Sequence, residues 1–137
     1  MDKKYSLPPM EYTFDIQVKG EESNLNWTGK FKYKRPTLGD RASIERHVAI
    51  LNGDLRTIDP IQQDLNYALA LLRYTLKEYP EWWKESEYGA SLYDANVVLE
   101  IHRNCIKYEK EWREKVLSGD PKDVEVTDAS SPVAGTA

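Results

Sequence analysis

The sequence predicts a mainly helical α+β fold: an N-terminal β-hairpin docked on a three-helix bundle, followed by a disordered acidic tail. Three observations carry this. Two early stretches alternate apolar and polar residues at the period of a strand. Three later stretches repeat apolar residues at helical spacing, and residues 119–137 contain no aromatic residue. At 137 residues the chain is long enough for one core and too short for two. The expected organisation is a flexible segment over 1–10, a single globular domain over 11–118 and a tail over 119–137.

In "YTFDIQV", residues 12–18, Tyr12, Phe14, Ile16 and Val18 share one face. In "WTGKFKYK", residues 27–34, Trp27, Phe31 and Tyr33 share one face, while Lys30, Lys32 and Lys34 share the other. "KGEESNLN" between them is a polar loop, so residues 11–35 form a hairpin with one aromatic and one basic face. Two strands are marginal alone, and the aromatic face must therefore dock on the helices.

"RPTLGD" opens the first helix, 37–52, with Thr37 as N-cap and Asp40 completing a capping box. Ile44, His47, Val48 and Leu51 form its stripe, and Gly53 stops it. The second helix, 60–79, has Asp59 as cap, Pro60 at its first position and Gln62 where a capping box places it. Its stripe is Ile61, Leu65, Ala68, Leu69, Leu72 and Leu76, and Pro80 ends it. The third helix, 91–118, carries Val98, Ile101, Cys105, Tyr108, Trp112 and Val116.

Composition bounds the function. With 31% charged residues, a mean hydropathy of −0.69 and no apolar run near the ~20 residues of a membrane span, the expectation is a soluble, cytoplasmic protein. The single cysteine, Cys105, has no intramolecular disulfide partner, and no Cys/His cluster has zinc-site spacing. Of the formal charge of −4, the tail holds −3, which leaves the body almost neutral. No nucleophile elbow, zincin, phosphate-loop or dinucleotide motif occurs. His47 sits on an apolar stripe, where a hydrogen-bonded, half-buried histidine is expected, and His102 is expected on a solvated face. Pairs such as Glu109 with Arg113 and Glu111 with Lys115 support an exposed helix face. The expectation is a non-enzyme with no cofactor and no metal.

Two adjacent indoles in "YPEWWKES", residues 79–86, point in different directions on any regular backbone. Trp83 is assigned to the core and Trp82 to the surface. Tyr67, Leu71 and Tyr74 lie off the main stripe of the second helix at i, i+4 and i+7, so that helix is central to the bundle or shared with another chain. Trp82, Tyr67, Leu71 and Tyr74 are the candidate partner-binding residues.

The order of parts resembles the tail assembly chaperones of long-tailed bacteriophages. The resemblance is carried by the N-terminal strand pair, "PTLGDRASIERHVAIL", "EYPEWW", "DANVVLEIHRNCIKYEKEWREKV" and the acidic Ala/Ser/Pro tail, over residues 10–137. It implies a protein that coats the helical tape-measure protein, keeps it soluble in the host cytoplasm, brings tail-tube subunits to it and leaves before the particle is complete. Homo-oligomerisation fits the same role. Two other classes fit parts of the sequence: an adaptor retained in a phage or bacterial assembly, and a nucleic-acid-binding protein using the basic hairpin. Against the latter, strand geometry puts the lysines and the aromatics on opposite faces.

Overall fold

The computed structural model describes residues 7–118. In chain order the elements are β1 (Glu11–Lys19), β2 (Asn26–Lys34), α1 (Leu38–Asn52), α2 (Pro60–Thr75), β3 (Leu76–Glu78), α3 (Glu81–Glu85) and α4 (Ala95–Ser118). The fold is α+β, as the sequence predicts, and the acidic tail lies outside the described residues. Among the described residues, contacts divide the chain into two compact units, Glu11–Ile106 and 7–10 with 107–118.

Within Glu11–Ile106 the predicted hairpin forms in the predicted register of faces. Tyr12, Phe14, Ile16 and Val18 stand opposite Tyr33, Phe31, Gly29 and Trp27. Phe14 and Phe31 stack at 5.7 Å between ring centroids. The hairpin is one strand short of the real sheet, whose order is β1-β2-β3 and whose pairs are antiparallel. The third strand corrects the expected helix over 60–79, because α2 stops at Thr75. Pro80 has no N–H to offer the Leu76 carbonyl in a continuing helix. Leu76–Glu78 instead extends along the edge of β2, where Leu76 faces Tyr33 and Glu78 faces Lys32.

Helix α1 starts as its sequence dictates. The Thr37 hydroxyl accepts from the Asp40 N–H at 3.1 Å, and the Thr37 N–H donates to the Asp40 carboxylate at 3.0 Å. The bond from the Thr37 N–H is the largest cause holding the Asp40 carboxyl below its ordinary range. At the start of α2, Pro60 occupies its expected place, but Asp59 makes no side-chain cap bond. Gln62 donates to Asn66 rather than closing a capping box. Buried Asn66 in turn donates to the Leu51 carbonyl and to Asn52, satisfying one of the carbonyls left open at the end of α1.

α2 is the central helix. One side packs Ala70 and Leu71 on Ile44 of α1, flanked by Val48 and Tyr74. Its other buried residues, Ala68, Leu72 and Thr75, join a core of Phe14, Ile16, Phe31, Tyr33, Leu76, Trp83, Val97, Val98, Ile101 and Cys105. α4 begins at Ala95 rather than at the expected 91, because Asp94 is committed to another task.

Candidate functional site

That task begins in the hairpin loop. The Asp94 side chain is almost wholly buried and accepts four hydrogen bonds. The backbone N–H groups of Glu22 and Ser23 reach Oδ1 at 2.7 and 2.8 Å, while the Ser23 hydroxyl and the Trp27 indole N–H reach Oδ2. A Cβ at Gly20 would overlap the Asp94 carboxylate, so only glycine admits this approach. Two residues on, Asn96 accepts from the Glu21 N–H and donates to the Lys19 carbonyl. The Ser23 hydroxyl is the largest cause holding the Asp94 carboxyl below its ordinary range, against the opposing effect of burial. An open depression of ≈ 290 Å³ beside this loop is lined by Glu22, Ser23 and Tyr93. The carboxylate itself is saturated by the loop, which makes it an anchor for the hairpin.

The four partner-binding candidates do not come together. Trp82 is half-buried: its indole N–H donates to the Thr28 carbonyl at 2.8 Å, and its ring lies 4.8 Å from Trp27. It is a brace between the α3 turn and β2. The brace fits because β2 has Gly29 opposite Pro80, where a Cβ would meet Pro80 Cγ at 2.6 Å. Trp83 is 0% exposed and meets Phe31 edge-on at 5.8 Å, as assigned. Leu71, at 6% exposure, and Tyr74 are used by the α1–α2 contact. The central placement of α2 thus accounts for them without another chain. Tyr67 alone remains at the surface, edge-on to His102 at 5.9 Å.

The histidines also differ from expectation. His47 is half-buried against Tyr74, but its Nδ1 finds no hydrogen-bond partner among the described residues. His102 is half-buried rather than solvated, with Nε2 buried. Burial first, and the charge of Arg103 second, lower its pKa, opposed by Asp64. Cys105 is buried, as its spacing predicts. Among the described residues no group of three or more His, Cys, Asp or Glu side chains is placed to hold a metal ion.

On the outer face of the hairpin, Lys30 and Lys32 meet acids across the strands. Lys30 pairs with Asp15 at 3.4 Å, and Lys32 pairs with Glu11 at 3.3 Å and Glu78 at 3.5 Å. Lys32 is held protonated above its ordinary range, chiefly by the hydrogen bond to Glu11. This face is a ladder of alternating charge, which is a poor match to a phosphate backbone.

Apolar side chains left in water cluster in the sequence around the α1–α2 connection. Ile50 is 77% exposed, Leu55 61% and Ile61 74%. Ile61 is expected on the buried stripe of α2, but residues 60–64 are all exposed and the stripe begins at Leu65. Ile50 is off the predicted stripe of α1, and only its size beside Leu51 marks it in the sequence. No helix among the described residues is long and apolar enough to cross a membrane. Comparison with protein-family models, with curated proteins and with solved structures finds no match.

Proposed function

We propose that this chain is a non-catalytic assembly chaperone that holds a helical segment of another protein at the end of its α1–α2 hairpin. The observation that carries the proposal is the exposure of Ile50, Leu55 and Ile61 within twelve residues of chain. Large aliphatic side chains on a solvated surface gain by burial against an apolar stripe, and each contact is shallow enough to be released later. The resemblance to phage tail assembly chaperones supplies the partner: the tape-measure protein, with tail-tube subunits brought to it in the host cytoplasm. The cross-strand pairing of Lys30 and Lys32 favours a protein partner over a nucleic acid.

Ile50→Asp with Ile61→Asp is expected to weaken capture of a tape-measure fragment by at least about tenfold while leaving the melting temperature nearly unchanged, because neither side chain is in the core. Pull-down and thermal melting of the same preparations check it. Undiminished capture by the folded double variant would contradict the assignment. A chaperone is also absent from purified particles, whereas an adaptor is present in them.

A further inference from the structure

The unit containing residues 7–10 and 107–118 holds a contact of a different chemistry. Tyr108 and Trp112 are four residues apart on α4 and so share one face. The Tyr108 hydroxyl donates to the Pro9 carbonyl, and the Trp112 indole N–H donates to the Pro8 carbonyl at 3.1 Å. The segment therefore runs antiparallel to the helix. Pro8 and Pro9 have fixed φ, and a residue before proline is held extended, so Leu7 and Pro8 are restricted as well. Such a backbone is stiff, lacks two N–H donors and offers bare carbonyls. Aromatic side chains that pack the rings and donate to those carbonyls are the means by which proline-rich segments are recognised.

The attachment is that of a ligand more than of a core. Only Pro8 is buried, while Leu7, Pro9 and Met10 are exposed. An incoming segment with two consecutive prolines would offer the same carbonyls to the same two donors, and the displaced carbonyls would return to water. Exchange would leave neither donor unmatched. We infer that the Tyr108–Trp112 ridge is a docking site for a Pro-Pro segment of a partner protein, and that residues 7–10 occupy it in cis as a built-in competitor. Because the competitor belongs to the same chain, its docking is intramolecular, so a partner must bind through a further contact or in a tighter segment to displace it. This inference does not rest on the α1–α2 surface.

The test uses the full chain labelled with ¹⁵N and follows its indole N–H resonances, with Trp112 identified by Trp112→Phe. The substitution Pro8→Ala with Pro9→Ala should move the Trp112 resonance and leave those of Trp27, Trp82 and Trp83 in place. The peptide Ser-Leu-Pro-Pro-Met-Glu-Tyr, added to this variant up to about 5 mM, should return the Trp112 resonance saturably to its original position. The matching peptide with Ala-Ala should not. A Trp112 resonance that ignores the double substitution overturns the inference, as does failure of the Pro-Pro peptide to restore it or equal restoration by the Ala-Ala peptide. Displacement of all four indole resonances by the double substitution would make residues 7–10 part of the fold and would overturn it too.

Discussion

Asp94→Ala is expected to lower the melting temperature by about 10 °C or more, since four donors lose their common acceptor at once. Two of them are backbone N–H groups of the hairpin loop and one is the Trp27 indole, so the loss loosens both the loop and the aromatic face of β2. Asp94→Asn should recover only part of it, because an amide places a donor where the loop also presents donors. Thermal melting monitored by circular dichroism checks both.

The pH dependence has a definite sign. The folded pKa of Asp94 is lowered, so its contribution is present above the unfolded carboxyl value near ~3.9 and is lost as pH falls through the folded value. His102 is also lowered, and a histidine kept neutral by the fold opposes protonation. Its contribution is therefore full above the unfolded value near ~6.5 and declines as pH falls from there to the folded value. Acid should weaken the protein in two stages, His102 first and Asp94 second. In Asp94→Ala the second stage should shrink while the first remains.

The second large effect belongs to the tryptophan pair. Trp83→Ala is expected to cost about 3–5 kcal/mol, the range for removing a fully buried large aromatic side chain. Trp82→Ala should cost about 1–2 kcal/mol, from one hydrogen bond to Thr28 and part of the ring contact with Trp27. Urea denaturation separates the two values. A Trp82 serving only a binding surface would leave stability untouched on substitution; its bond to β2 predicts a measurable loss instead. Equal costs at the two positions would contradict the division of labour between core and brace.

Much of the fold is legible because it is written locally. Alternation fixes the faces of β1 and β2, and Thr37 with Asp40 fixes the start of α1 within three residues of chain. What escapes the sequence depends on distant partners. β3 is three residues long and exists because the edge of β2 waits for it, more than forty residues earlier in the chain. Asp94 looks like one more acidic residue ahead of a helix until the loop 71 and 72 residues away folds onto it. Leu71 and Tyr74 show why an apolar face does not name its occupant: periodicity reveals the second stripe of α2, and only packing reveals that α1 covers it. Exposed Ile61 is hidden for the converse reason, since an apolar residue at helical spacing is assigned to a core by default, while Ile50 and Leu55 lie off any predicted stripe.

Hydrogen–deuterium exchange of the full chain, with and without a helical tape-measure fragment, tests the holding surface most directly. The proposal predicts added protection confined to residues 50–61 and their helical neighbours, with exchange in the Asp94-anchored loop unchanged. Binding of the fragment with no protection in 50–61, or no binding at saturating fragment, would contradict it.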